Sequence, residues 1–248
     1  MILSFAHLFR LFVGWIDLFI LTIVLYLVSF IPDKLTSKYF PPVFYYWCRV
    51  FVRALNINLR LHQKNLHIIP KQYILISNHP SAFEDIGMPA LFKARFLAKK
   101  EVKDWWWVGR ISRAGGTLFF DREDKAARQN AVSDLKAVLE AGDSIGLYPE
   151  GGCKGRRIHL PFQYGAFDLS IQTGIPILPV FLHYEAQETF EWGKETLPQK
   201  IWTLLKAENK NAHYYVYDAI DPKQFRDKAA FTEFVQNLYL NWQKQYLE

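Results

Sequence analysis

The chain is 248 residues long, half of them hydrophobic and 17% aromatic, and its 30 Lys and Arg exceed 24 Asp and Glu to leave a net charge of +6. That much apolar chain suits one globular domain with a sizeable core, and two cysteines, Cys48 and Cys153, without C-x-x-C spacing, exclude a disulfide framework or a cysteine zinc site. The mild basic excess fits an anionic membrane surface or a phosphate-bearing substrate; with no recognised nucleic-acid motif in the chain, it does not argue for nucleic acid.

Residues 11–31, L-F-V-G-W-I-D-L-F-I-L-T-I-V-L-Y-L-V-S-F-I, are long enough as a helix to cross a hydrocarbon layer, which takes about 20 residues. Asp17 is their only charge. Each Leu, Ile, Val or Phe favours insertion by roughly 0.3 to 0.6 kcal/mol, against about 3 kcal/mol for one Asp at mid-membrane, so insertion wins. A core helix is the competing reading, but core helices seldom stay apolar on every side. No small-residue cleavage site follows, which predicts an uncleaved anchor. Arg10 precedes the segment while Lys34, Lys38 and Arg49 follow it, placing the remaining chain on the cytoplasmic side if the segment spans, with a re-entrant hairpin as the alternative.

Residues 41–55 carry an apolar face with Arg49 and Arg53 spaced i,i+4. This predicts an amphipathic helix, lying in the lipid interface or packed on the domain. Ile57, Leu59 and Leu61 then alternate as in a strand, and 73–77 and 95–99 read as short buried strands. Trp105, Trp106 and Trp107, bracketed by Lys99, Lys100, Lys103 and Arg110, suit the headgroup level of an anionic bilayer or a buried aromatic cluster. Ala127, Ala131, Leu135, Val138 and Leu139 recur at helical spacing until Gly142, before a strand at 145–148. Residues 177–184 and 213–217 read as strands, and Phe231, Phe234, Val235, Leu238 and Trp242 mark a closing amphipathic helix. Strands alternating with helices predict an α/β fold.

S-N-H-P-S-A-F-E-D-I, at 77–86, puts His79, Glu84 and Asp85 just after a buried strand, where sites gather in α/β folds. A histidine is the usual general base near neutral pH, and a carboxylate on its other nitrogen fixes the tautomer. A-G-G-T-L-F-F-D-R, at 114–122, ends on Arg122, a residue type suited to phosphate. L-Y-P-E-G-G, at 147–152, is a strand ending in Glu150, Gly151 and Gly152, where backbone N–H groups can approach an anion, and Lys154, Arg156 and Arg157 follow.

N-H-P-S-A-F-E-D-I, G-G-T-L-F-F-D-R, Y-P-E-G-G and G-I-P-I-L-P-V, in that order, resemble the four ordered blocks of the glycerolipid acyltransferases of the 1-acylglycerol-3-phosphate acyltransferase type, over residues 57–221. The resemblance implies an α/β fold with a mixed sheet flanked by helices, a membrane anchor and interfacial helix in residues 1–55, and a cytoplasmic acyltransferase domain in 56–248. It implies a membrane enzyme, on the cytoplasmic face of a bacterial-type inner membrane, that moves an acyl group from acyl carrier protein or coenzyme A to a lysolipid hydroxyl. No metal or other cofactor is implied. His79 takes the role of base, and Arg122 with the Glu150-Gly151-Gly152 turn matches the blocks that hold the acceptor's head group. Gly174, Pro176 and Pro179 match the fourth block, as wall rather than chemistry. Two departures stand out. The family spacing is His, four residues, then Asp; here the count favours Glu84, while the Asp-Ile pair favours Asp85 with one residue inserted, and Asp85 is the preferred partner. The third block usually runs Glu-Gly-Thr-Arg, whereas here Cys153 follows Gly152, leaving Lys154, Arg156 or Arg157 to stand in. Lysophosphatidic acid is the first-choice acceptor, another lysolipid such as a lyso-ornithine lipid the second. A non-catalytic lipid-binding membrane protein is the reading from another class.

Overall fold

The computed structural model describes residues 5–36, 38–103, 105–120, 125–191 and 195–248. Helices α1 (Phe5–Val28), α2 (Asp33–Thr36) and α3 (Phe40–Ala54) lead into strands β1 (Asn58–Gln63) and β2 (Ile74–Ser77). Next come α4 (Glu84–Leu91), β3 (Arg95–Lys99), α5 (Lys100–Lys103), α6 (Trp106–Ala114), β4 (Leu118–Phe120), α7 (Lys125–Glu140) and β5 (Ile145–Leu147). The chain closes with α8 (Gly165–Thr173), β6 (Ile177–Tyr184), α9 (Gln187–Phe190), α10 (Leu197–Lys206), β7 (Asn211–Val216), a 3-10 turn (Pro222–Gln224) and α11 (Lys228–Leu247).

The strands form one seven-stranded sheet in the order β1-β7-β6-β2-β5-β3-β4. Among the described strand pairs only β6–β7 is antiparallel, so the sheet is mixed. Side chains alternate across a strand, and β2 shows why it reads as unbroken hydrophobicity: Leu75 joins the core beneath α3 and α4, while Ile74 and Ile76 join the opposite core beneath α7, α8 and α11. Helices on both faces of a mostly parallel sheet make a three-layer α/β fold, as the alternating pattern predicts.

Two of the buried positions on α1, Leu18 and Leu25, pack into the first core, while Phe12, Phe19, Ile20 and Leu27 stay exposed. The candidate span, Leu8–Val28, has a mean hydropathy of 2.4 and is 17% buried, which a core helix would not be. Its single acid is paired: Arg53 of α3 reaches Asp17 at 2.6 Å. Trp47 of α3 donates to Thr22 of α1 at 2.8 Å. The apolar face of α3, including Phe44, Trp47, Cys48 and Phe51, is buried in the protein, so packing on the domain rather than the lipid interface accounts for that face. Arg49 donates to the Ala90 carbonyl at 2.9 Å, tying α3 to α4.

Candidate active site

β2 and β5 run parallel in register, Ile76 beside Leu147, so both strands end at the same sheet edge. The chain leaves β2 through α4, on one face, to reach β3; it leaves β5 through α8, on the other face, to reach β6. Neighbouring strands whose connections depart to opposite faces open a crevice at their carboxyl ends, where ligands bind in open α/β sheets. His79 lies past the end of β2, and Glu150 past the end of β5.

The loop after β2 is clamped before it turns into α4. Asn78 extends the ladder with its side chain, donating to Leu182 O at 2.9 Å and accepting from Leu182 N at 2.7 Å. Ser81 donates to Phe190 O at 2.6 Å, and Gln187 donates to Pro80 O at 2.9 Å. His79 is thereby fixed with only 7% of its surface exposed, its ring stacked on Tyr148 at 3.9 Å between centroids and 10° between planes.

His79 Nδ1 lies 2.7 Å from Glu84 Oε2, which also accepts from Ser81 N at 2.9 Å. Tyr184 donates to the other oxygen, Oε1, and its own hydroxyl lies 3.0 Å from that of Tyr214. Burial pushes both phenols well above the ordinary tyrosine range, so they remain protonated donors. A carboxylate with these partners accepts from Nδ1–H, which leaves Nε2 as the lone-pair nitrogen of the neutral ring. Burial alone would lower the His79 pKa; hydrogen bonds to Cys153 and Glu84 outweigh it and raise it to about 10. Glu84 itself is raised by its complete burial, against the pull of His79.

The expectation that Asp85 partners His79 is corrected. The chain has no inserted residue in the turn: Glu84 opens α4 and points inward, and Asp85, about 100° further around the helix, is exposed.

Comparison with known proteins gives the family and the fold. The family described as Acyltransferase matches residues 60–183, half of the chain. The chain belongs to the acyltransferase family. A 1-acyl-sn-glycerol-3-phosphate acyltransferase of Neisseria meningitidis serogroup B is 23% identical over 176 residues, 67% of this chain and 68% of that protein. The human 1-acyl-sn-glycerol-3-phosphate acyltransferase alpha is 29% identical over 132 residues, 50% of this chain and 46% of that one. The crystal structure of the 1-acyl-sn-glycerophosphate acyltransferase PlsC of Thermotoga maritima superposes with a TM-score of 0.55 at 18% identity, covering 94% of this chain and 97% of that one, and so shares the fold.

In this acyltransferase Glu150 is a brace. Its Oε1 accepts from His79 N and its Oε2 from His159 N, both at 2.8 Å, which locks the third block to the first. Burial raises its pKa to about 7 against those two N–H groups. Gly151 holds φ at 76°, a left-handed turn that a side chain would strain. Gly174 ends α8 in the same conformation, a helix stop ahead of β6.

A cavity of about 660 Å³ is lined by Tyr148, Glu150, Gly151, Lys154 and His159 together with the apolar Leu97, Leu135 and Leu169. Of the three basic candidates only Lys154 lines it; Arg156 is exposed elsewhere, and Arg157 pairs with Glu248 at 3.0 Å. Arg122 lies outside the described residues. A second, apolar cleft of about 470 Å³ runs along α1, lined by Trp15, Thr22, Tyr26, Phe51, Trp107 and Ile201. Trp107 thus faces α1, Trp105 is exposed, and the Trp106 side chain is outside the described set.

Sequence reading missed Tyr148, Tyr184, Tyr214 and Cys153 as members of the site. Cys153 Sγ lies 3.4 Å from His79 Nε2 and 3.6 Å from Nδ1, in the place where the usual third block has threonine then arginine. Its signal was available in that departure.

Proposed function

We propose that this acyltransferase is anchored in a membrane by α1 and moves a fatty acyl group from an acyl thioester, on acyl carrier protein or coenzyme A, to the hydroxyl of a lysophospholipid. The first-choice acceptor is 1-acylglycerol-3-phosphate, giving phosphatidic acid, as the names of its relatives suggest. The observation that carries this reading is the His79–Glu84 pair, a base on a buried orienting carboxylate, set at the crevice of the sheet. His79 Nε2 takes the hydroxyl proton, the oxygen attacks the acyl carbonyl, and the departing thiolate recovers the proton from the imidazolium. Lys154 in the cavity lining supplies positive charge for an acidic head group, and the apolar Leu97, Leu135 and Leu169 of the same lining suit a hydrocarbon chain.

Purified protein assayed with a panel of lysolipids and both donors tests the proposal. His79→Ala is expected to cost about 10² to 10⁴ in rate, with the fold and membrane attachment kept. Wild-type turnover in that variant would overturn the base assignment. A second reading, an acceptor without a phosphomonoester, is favoured by one observation: Arg157 is engaged with Glu248, leaving Lys154 as the basic side chain at the cavity among the described Lys and Arg. Turnover confined to such an acceptor would select it.

A further inference from the structure

We propose that Cys153, His79 and Glu84 together bind a thiophilic divalent cation of the Zn²⁺ type, and that the bound ion switches the base off. The second half of the proposal rests on the reading of His79 as the base of acyl transfer. Among the described residues these are the one group of three or more His, Cys, Asp and Glu side chains whose ligand atoms all come within 4.8 Å of one another. Zinc bonds of about 2.3 Å to sulfur and about 2.0 to 2.1 Å to nitrogen, set at a tetrahedral angle, hold the two ligand atoms about 3.5 Å apart. Cys153 Sγ stands 3.6 Å from His79 Nδ1 and 3.4 Å from Nε2, already at that separation. Such similar distances put the sulfur beside the ring, off the axis of either nitrogen, so the thiol turns about Cα–Cβ to share an ion with Nδ1. Glu84 Oε2 lies 2.7 Å from Nδ1, the length of a hydrogen bond, and an ion in place of the proton requires the two atoms to part by about 0.5 Å.

The donor set selects the ion. Thiolate with imidazole favours Zn²⁺ over Mg²⁺ or Ca²⁺, which take oxygen ligands. Three protein ligands leave a fourth position for water. Glu84 is already oriented by Ser81 N on Oε2 and by the Tyr184 hydroxyl on Oε1, the kind of outer support that metal-binding carboxylates have. Cys153 is exposed, so an ion meets the thiol first and the buried His79–Glu84 pair next. Local spacing does not announce this set, because 74 residues separate His79 from Cys153. An imidazole ligated through Nδ1 carries its remaining proton on Nε2. That is the nitrogen whose lone pair takes the hydroxyl proton, so the loaded protein has lost its base.

The full chain in detergent micelles, freed of metal with EDTA, is titrated with Co²⁺ while thiolate-to-cobalt absorption is followed, and with Zn²⁺ by calorimetry. The expected result is one ion per chain and an absorption band that Cys153→Ala and Cys153→Ser lack. Zn²⁺ affinity is expected to fall about 10-fold or more in both cysteine variants and in Glu84→Gln, with circular dichroism checking that each is folded. In the acyl-transfer assay, Zn²⁺ that fills the site is expected to lower wild-type turnover by about 10² or more, the cost of losing a general base, with EDTA restoring it and Mg²⁺ leaving it unchanged. Each cysteine variant, compared with its own metal-free rate, is expected to need about 10-fold more Zn²⁺ for the same loss. Zn²⁺ bound equally tightly by wild type and Cys153→Ala puts the ion elsewhere, with the adjoining His62 and His213 the next place to look, and overturns the proposal. A Cys153-dependent ion that leaves turnover unchanged also overturns it, since His79 is then not a ligand. A wild-type protein inactive on every lysolipid with both donors, yet showing the band that Cys153→Ala lacks, removes the acyl-transfer reading and leaves the metal site standing.

Discussion

Glu84 and Asp85 are adjacent carboxylates with opposite surroundings, and that contrast makes them separable by experiment. Glu84→Gln removes the charge that holds Nδ1–H and is expected to cost about 10² to 10⁴ in kcat, whereas Asp85→Asn leaves kcat near the wild-type value. The pH profile carries a sign of its own. His79 acts as a base only when neutral, and its partners raise its pKa to about 10, so the rate is expected to rise with pH through the alkaline range. Both Glu84→Gln and Cys153→Ala remove a group that raises this pKa, so the rising limb should move to lower pH in each; a limb that stays put in both would remove the two neighbours as its cause. Tyr184→Phe deletes a hydrogen bond to a buried carboxylate and is expected to lower unfolding stability by about 1.5 to 3 kcal/mol, read from the denaturant midpoint. Gly87 is part of the same cluster: a Cβ there would strike the Tyr214 hydroxyl, so Gly87→Ala displaces the phenol that backs Tyr184.

At the scale of elements, α1 and α3 answer for each other. Asp17 is tolerable in an apolar span because Arg53 meets it. Arg53→Leu leaves that acid uncompensated and is expected to reduce the protein recovered in the membrane fraction, while Asp17→Leu combined with Arg53→Leu restores it; equal recovery for all three variants would show that the pair plays no part in insertion. The strand and helix periods were legible because each depends on neighbours in sequence: Leu59 and Leu61 of the alternating set fall in β1, which starts just after Ile57, and the spacing of Ala131, Leu135 and Leu139 became part of α7. The carboxylate count after His79 was also legible, and the Asp-Ile likeness drew the reading one residue too far. Tyr184 and Tyr214 were not legible, since 100 and 130 residues separate them from Glu84 and only the antiparallel β6–β7 register brings their hydroxyls together. The destination of the α3 face was likewise a matter of what waits in space, because the same apolar stripe serves a bilayer or a core.

At the scale of the whole molecule, an exposed apolar helix joins a domain of net basic chain. Sedimentation with vesicles is expected to retain the full chain at high salt through α1, and a chain lacking residues 1–28 to bind, if at all, only to anionic vesicles at low salt. Salt release of the full chain would argue against insertion of that helix. A chain of contacts runs from α1 to the base: Asp17 meets Arg53, Arg49 of the same helix holds Ala90 on α4, and α4 begins with the carboxylate that orients His79. With α1 in a bilayer, as proposed above, such a linkage would work like a depth gauge: it ties the height of the imidazole to the helix, so that lysolipids whose hydroxyls sit at different levels would be told apart by depth as well as by head group.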